Sequence, residues 1–504
     1  MSGTVDRIAA PLYTACMRFL FGLFLMFLFT STINGNSEED SPQHLINDSI
    51  VTEHTYHASN GKKLHYSAVA GWTPVSNNKA EELARLFYIA YFVDEDEDRP
   101  ITFFFPGGPG GAGGWTAICS IGPRRMELSQ EGKKRVPPYR MIDNPESLLP
   151  WTDLVFVDPV GTGYSPMPDE ETCPNFPFFN TDGDIAILAK FVDTFISCYE
   201  RWNSPKYMGG FSYGAARCCG LAEALSWHDI SLHGILLLSP AIDYATLLSQ
   251  HNLFLSDALL IPTFAATAWY YGKLWPHLEL EEVLHYARRF CYDDYLPALL
   301  QPSRLSPIEQ QCFYKNLAEL IGLSEETVCR YSGRFDEELY TKEFFASEKK
   351  VLGGLDTRYS SDWSLSGKIE ADPSYSDMQG TFSAFKAYLQ KELKLCTPFI
   401  PYQFSSCEGW CFATYDSLGW PELLQRVRRT LVANPEMQIF IGSGYYDCRT
   451  PFAATEYCFD HLNLPQSYRN NLLFSYYPAG HGFIFDLPSL QKFKNDLTQF
   501  YTNH

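Results

Sequence analysis

Residues 206–225 read KYMGGFSYGAARCCGLAEAL. Five of them, Gly210-Phe211-Ser212-Tyr213-Gly214, form a G-x-S-x-G. A serine in this pattern sits on a sharp turn between a strand and a helix, and the flanking glycines let the backbone pass without side-chain clashes. Taken alone the pattern is weak. With roughly 7% each of Gly and Ser, about one chain in seven of this length carries a match by chance. The flanks add the context. KYMGG reads as the end of a strand, and AARCCGLAEAL reads as a helix whose small side chains allow close packing on a sheet. Cys218 and Cys219, early in that helix, read as buried small apolar residues.

Working outward, short continuous apolar runs bounded by turn residues recur: ITFFF at 101–105, DLVFV at 153–157, HGILLLS at 233–239, QIFIGSG at 438–444 and LLFSYY at 472–477. Uninterrupted runs of this length mark strands buried on both faces of a mostly parallel sheet. Helical stretches between them, including 183–202 and 214–228, predict an α/β, doubly wound arrangement. Strand-like segments KLHYSAVAG and LFYIAYFV precede them and end in the acidic run Asp94-Glu95-Asp96-Glu97-Asp98, which reads as a solvated hairpin tip. Between about 246 and 395 the pattern changes to helical, aromatic and charged segments such as SDALLIPTFAATAWYYGKLW and LEEVLHYARRF. This region reads as an inserted, largely helical cap. The expected organisation is therefore 1–35 signal peptide, 36–50 polar lead-in, 51–245 first part of the core, 246–395 cap and 396–504 second part of the core.

Composition bounds the function. The chain has 504 residues, is 45% hydrophobic and 19% charged, and is long and apolar enough to bury a sizeable core. Its formal charge of −20 repels phosphate backbones and disfavours a general nucleic-acid role. The N-terminus sets the compartment. Phe19 to Phe29 form a short apolar run behind Arg7 and Arg18, followed by TSTINGNSEED. Basic start, apolar middle and small polar exit read as a secretory signal peptide, with a secreted or lysosome-like destination. An uncleaved anchor beginning near Ala9 is the alternative, and a membrane role is expected only in that case, because a span needs about 20 apolar residues. Cleavage near Gly35 would remove Cys16 and leave an odd thirteen of the 14 cysteines. One N-glycosylation pattern, Asn47-Asp48-Ser49, lies just inside the mature start.

A G-x-S-x-G serine on an α/β-hydrolase fold requires an acid and then a base further along the chain. Three histidines follow QIFIGSG: His461, His481 and His504. His504 is the terminus, and His461 lies in the helical stretch FAATEYCFDHL, where a surface or core role fits. His481, in Pro478-Ala479-Gly480-His481-Gly482, occupies a loop straight after a buried strand, where a loop-borne base belongs. Asp447, in Gly444-Tyr445-Tyr446-Asp447, follows the preceding strand. The expected catalytic set is Ser212 as nucleophile, Asp447 as acid and His481 as base. The loop FPGGPGGAGG at 105–114 also follows a strand, and it contains G-x-G-x-x-G at Gly108, Gly110 and Gly113. Prolines at 106 and 109 fit poorly with a dinucleotide turn opening into a helix, and no second strand ending in an acid follows about 20 residues later. In a hydrolase these glycines have a different use, since the Gly108 and Tyr213 N–H groups form the oxyanion hole. No metal or cofactor is expected. Cys407-Glu408-Gly409-Trp410-Cys411 is a lone C-x-x-x-C without nearby histidines, disulfide or structural rather than zinc-binding.

Together, FFFPGGPGGAGGW, IGPRRM, YRMIDNPESLLPWTDLVFVDPVGTGYS, GGFSYG, SGYYDCRTPFAATEYCFDHL and YYPAGHGF resemble the serine carboxypeptidase family, especially its bacterial-type branch. Within the insertion, LDTRYSSDW and ADPSYSDMQGTF are similar to that branch as well. The resemblance runs from about residue 55 to the C-terminus. It implies an α/β-hydrolase with a helical cap, cleavage at a peptide's C-terminal residue, and the same Ser212, Asp447, His481, Gly108 and Tyr213. It also exposes departures. The family usually carries Asn before GGPG and Glu before the nucleophile, which bind the substrate's free carboxylate. Here those positions are Pro106 and Phe211, and a further glutamate of the family aligns with Ser120. A carboxylate set against Pro and Phe loses its hydrogen bonds and is costly to desolvate. Arg124 or Arg125 could bind it instead, through the fork of a guanidinium; both also fit as ordinary surface or structural cations. Phe211 is the third expected substrate contact. The reading is a serine-type carboxypeptidase acting on peptide or acyl substrates through an acyl-enzyme. An esterase or acyltransferase with the same triad, or a catalytically silent binding protein, is the alternative. Oligomeric state is not legible.

Overall fold

The computed structural model describes residues 49–502, apart from 59–60, 62, 95–97, 118–120, 128–136, 169–177, 250–253, 364–371, 379, 398–399, 406–408 and 413–422. The signal segment, the lead-in up to residue 48 with Asn47-Asp48, Cys16, most of the acidic run, Ser120, Cys407 and His504 lie outside the described residues.

Among the described residues there are thirteen strands: β1 (Ile50–His57), β2 (Lys63–Ser76), β3 (Glu82–Val93), β4 (Ile101–Phe105), β5 (Arg124–Met126), β6 (Met141–Asp143), β7 (Asp153–Val157), β8 (Lys206–Phe211), β9 (Gly234–Leu238), β10 (Lys350–Leu352), β11 (Ser360–Asp362), β12 (Gln438–Gly444) and β13 (Leu472–Tyr477). Nine of them form one sheet in the order β1-β2-β3-β7-β4-β8-β9-β12-β13. β1 to β3 and the β3–β7 pair are antiparallel, and from β7 to β13 every pair is parallel. Each apolar run singled out above falls on one of these strands, and β4, β7 and β9 are buried at all five positions. β13 departs from the expected burial on both faces, because it is the edge strand of the sheet and leaves Leu473 and Phe474 exposed.

Side chains of one strand alternate between two cores, as the two-residue period of a strand requires. Phe103, Phe105, Val155, Val157, Ile235 and Leu237 join the core under α1 (Thr181–Cys198), α2 (Tyr213–Ser226) and α8 (Leu424–Ala433). Phe104, Leu154, Phe156, Leu236 and Leu238 join the opposite core, which is covered by α7 (Thr381–Lys391) and α10 (Leu487–Thr502). Between β9 and β12 the chain runs mostly in helix, including α3 (Leu255–Tyr270), α4 (Leu280–Phe290), α5 (Pro307–Ile321) and α6 (Glu337–Glu343). This stretch has its own apolar core, with Phe264, Phe290, Leu317 and Tyr340 buried in it. After β12 comes α9 (Phe452–Asp460).

Strand order also places the site. β4 lies between β7 and β8, so the chain leaving β4 moves toward one edge and the chain leaving β8 toward the other. Such a switch point opens a crevice beyond the carboxyl ends of the two strands. The glycine loop follows β4 and Ser212 follows β8, so both border that crevice.

Candidate active site

Ser212 caps α2 with φ 57° and ψ −121°, a left-handed conformation that a non-glycine residue adopts at a cost. Two contacts impose it. Ser212 N donates to Leu238 O at the end of β9 (2.8 Å), and Ala215 N donates back to Ser212 O (2.9 Å). Only glycine fits on either side: a Cβ on Gly210 would lie 2.0 Å from Gly214 O, and one on Gly214 would lie 2.1 Å from Phe105 O. The elbow therefore presents Ser212, half-buried, just past the carboxyl end of β8.

Asp447 and His481 come from the loops after the neighbouring strands β12 and β13. His481 Nδ1 donates to Asp447 Oδ2 at 2.8 Å, and the carboxylate is fully buried. The remaining acceptor sites of Asp447 are filled. Oδ1 accepts from Arg449 N (2.8 Å) and Thr450 N (2.9 Å), and Oδ2 accepts from the Thr450 hydroxyl (2.6 Å). Ser239, at the end of β9, donates from Oγ to His481 O at 2.7 Å. The Phe211 ring lies 5.0 Å from the imidazole and 6.1 Å from Phe485. Among the described residues, no hydrogen bond joins His481 to the Ser212 hydroxyl. Catalytic hydrogen bonds are often long in the absence of substrate.

The glycine loop reaches Ser212 directly. A Cβ on Gly107 would lie 2.7 Å from Ser212 Cβ and 2.8 Å from Phe211 O. Gly108, at φ 117°, is exposed. Tyr213 opens α2, so its N–H belongs to the unpaired first turn of the helix. Two buried residues that sequence reasoning missed tie this loop down. Arg217 donates from Nη1 to Pro106 O (2.5 Å), from Nη2 to Pro109 O (2.7 Å) and from Nε to Asp184 Oδ2 (2.7 Å). The only signal for it was a single cation in a helix of small apolar residues. At the far end of the loop, Asp158 Oδ1 accepts from Gly113 N and the Tyr402 hydroxyl (both 2.7 Å), and Oδ2 accepts from Tyr164 N (3.0 Å). Gly113 thus serves a carboxylate anchor, and a single helical turn at Gly114–Thr116 follows it.

Burial pushes the Asp158 carboxyl up to about 7, against the pull of these donors. An acid raised in the folded state binds its proton more tightly there than in the unfolded chain. Its contribution is fully present below the unfolded value near 4 and is lost as pH rises through about 7. The loss is about 4 kcal/mol at full ionisation. We expect Asp158→Asn to flatten the fall in stability between pH 4 and 7, as read by urea unfolding. An unchanged slope would contradict the assignment.

Arg124 is engaged elsewhere. It pairs with Asp143, and with Glu392 at 2.9 Å. Arg125 is buried and donates to Met126 O. His461, at the end of α9, is exposed and stacks on Tyr457. Cys218 and Cys219 are buried, and burial raises both thiols. Cys411 is exposed. No group of three or more His, Cys, Asp or Glu among the described residues is placed to hold a metal ion. No helix among them is long and apolar enough to cross a membrane.

The family model of serine carboxypeptidases matches residues 60–483. The chain belongs to the serine carboxypeptidase family. Family and fold support a peptidase or hydrolase role for it. Among solved structures, Kex1(delta)p, a prohormone-processing carboxypeptidase from Saccharomyces cerevisiae, is similar at TM-score 0.53 and 16% identity, covering 87% of this chain and 91% of that one. A thermostable carboxyl esterase from Bacillus coagulans is similar at TM-score 0.36 and 11% identity, covering 90% and 98%. No curated protein matches the chain in sequence. At 16% identity the likeness to Kex1(delta)p speaks for the α/β-hydrolase fold alone.

Proposed function

We propose that the chain is a secretory serine carboxypeptidase that works through an acyl-enzyme at Ser212. The observation that carries this reading is the buried Asp447–His481 hydrogen bond beside the strained Ser212 elbow. Asp447 orients the imidazole so that Nε2 can take the Ser212 proton as Oγ attacks the substrate carbonyl carbon. The Gly108 and Tyr213 N–H groups stabilise the negative charge that forms on the carbonyl oxygen. Protonated His481 gives its proton to the leaving amine, and the C–N bond breaks. Water, deprotonated by His481, then splits the acyl ester and returns Ser212 to its hydroxyl form. The signal-like segment at 19–29 supports the secretory assignment.

Phe211 supports a second reading. Its ring lies against the imidazole, and Pro106 turns its carbonyl toward Arg217. This flank offers apolar contact rather than hydrogen bonds, which suits an ester or a capped peptide. Arg124 is a weak alternative receptor for a substrate carboxylate, since a substrate would compete there with Asp143 and Glu392. A peptide library digested by the wild type, with Ser212→Ala as control, separates the two. Carboxypeptidase action predicts loss of C-terminal residues from free-acid peptides, with amidated peptides at least tenfold slower. Equal turnover of the two would favour the esterase or acyltransferase reading. No Ser212-dependent product and no fluorophosphonate adduct would leave a binding protein.

A further inference from the structure

The segment Gly353–Tyr359, between β10 and β11, bonds to both loops that carry the acid and the base. On the acid side, Cys448 N donates to Gly354 O and Thr357 N donates to Tyr446 O, both at 3.1 Å, so Asp447 is bracketed by the two contacts. On the base side, His481 N donates to Leu355 O (2.6 Å), Gly480 N donates to Asp356 Oδ2 (2.9 Å), and Arg358 Nη1 donates to Pro478 O (2.7 Å). Asp356 and Arg358 are in turn locked together, Nη2 to Oδ2 at 2.7 Å and Nε to Oδ1 at 3.0 Å. The approach is close: a Cβ on Gly480 would lie 2.3 Å from Leu355 O.

The segment is itself held from the helical insertion. The Thr357 and Thr267 hydroxyls lie 2.6 Å apart, and the Tyr271 hydroxyl lies 3.1 Å from Thr357 O and 2.9 Å from Arg358 O. Asp372 Oδ2 accepts from Gly354 N (2.8 Å), and Ser374 Oγ accepts from Asp356 N (3.0 Å). The insertion thus sends one strap across the ends of two adjacent strands.

We propose that Asp356 and Arg358 are positioning residues for the reaction at Ser212, holding the His481 loop at a fixed spacing from the Asp447 loop. The inference rests on the hydrolase reading above. The Asp447–His481 hydrogen bond joins two loops whose strands end before it. A productive constellation tolerates only about 0.5 Å of drift, and a misplacement of about 1 Å costs on the order of 100-fold in rate. Asp356 acts on the backbone N–H next to the base, and Arg358 acts on the carbonyl two residues before that N–H.

The test compares Asp356→Ala with Asp356→Asn, whose carbonyl can still accept from Gly480 N while its NH2 turns toward the Arg358 N and Nε donors. We expect Asp356→Ala to lower kcat about 50-fold with KM within about twofold, and Asp356→Asn, which keeps the Gly480 contact but not the ion pair with Arg358, to recover part of that loss. The proton NMR resonance of the imidazole Nδ1–H should persist in the wild type and in Asp356→Asn and be lost to solvent exchange in Asp356→Ala. Unchanged kcat and an unchanged resonance in Asp356→Ala would overturn the proposal. So would an equal loss in both variants, or a loss in KM alone. Should Asp356→Ala not fold, Thr267→Val combined with Tyr271→Phe removes the two hydroxyl anchors that hold the strap from outside the site. A severalfold lower kcat at constant KM supports the proposal there, and an unchanged kcat overturns it. If the wild type shows no Ser212-dependent turnover, the hydrolase reading fails, and the imidazole resonance still decides whether the strap positions His481.

Discussion

Asp447→Asn is expected to lower kcat by about 10⁴-fold while leaving the protein folded. The reason lies in the donors that surround the carboxylate. Oδ1 accepts two backbone N–H groups, from Arg449 and Thr450, and backbone donors cannot turn away. An asparagine must therefore keep its carbonyl oxygen there and place its NH2 where Oδ2 now sits, facing the Thr450 hydroxyl and His481 Nδ1. The hydroxyl can rotate and accept. The imidazole can satisfy the new donor only by moving its proton to Nε2, which leaves the nitrogen nearer Ser212 a donor instead of a base. Nothing apolar is lost and no cavity opens, so unfolding by urea should change little. Acylation by an activated ester and labelling by a fluorophosphonate both read the effect. A loss smaller than tenfold would show that the imidazole serves without Asp447, and the assigned roles would fall.

The case of Asp447 also shows what could be read from sequence. Continuous apolar runs such as ITFFF and DLVFV announce buried parallel strands, because burial on both faces removes the alternation that an exposed face imposes. The order of Ser212, Asp447 and His481, each after an apolar strand, is the one expected of a fold that would carry such groups on the loops at the carboxyl ends of its strands. Short strands such as β5 and β6 have no comparable signature, because three residues with half-buried neighbours show no period. The supports of the site were hidden for a different reason. Arg217 bonds to carbonyls more than a hundred positions away, and Asp356 bonds to Gly480 across a similar gap. Periodicity and turn chemistry report on neighbours along the chain. They say nothing of which distant backbone group a buried charge will meet. The segment LDTRYSSDW was visible as a resemblance, yet its role emerges only once the strap lies across two loops.

Arg217→Met should destabilise the fold by about 3–5 kcal/mol and, separately, weaken turnover. Arg217 is 1% exposed, and its guanidinium bonds to three buried partners, Asp184 and the carbonyls of Pro106 and Pro109. Removing it strands Asp184, whose carboxyl burial already pushes up and which Arg217 pulls back down. With that cation gone the carboxyl rises further. Stability should then fall more steeply as pH rises, since a raised acid loses its contribution above its folded value. A second substitution separates the two effects. Arg217→Met with Asp184→Leu replaces the ion pair by apolar side chains, an exchange that is often neutral or stabilising. Much of the lost stability should therefore return, as read by the urea midpoint in a double-mutant cycle. Activity should not return with it. The carbonyls of Pro106 and Pro109 would still lack their donor, and the loop carrying Gly108 would be free to shift relative to Ser212. If the double variant regained full turnover along with its stability, Arg217 would be a partner for Asp184 only, and the glycine loop would owe its position to Asp158 and the elbow.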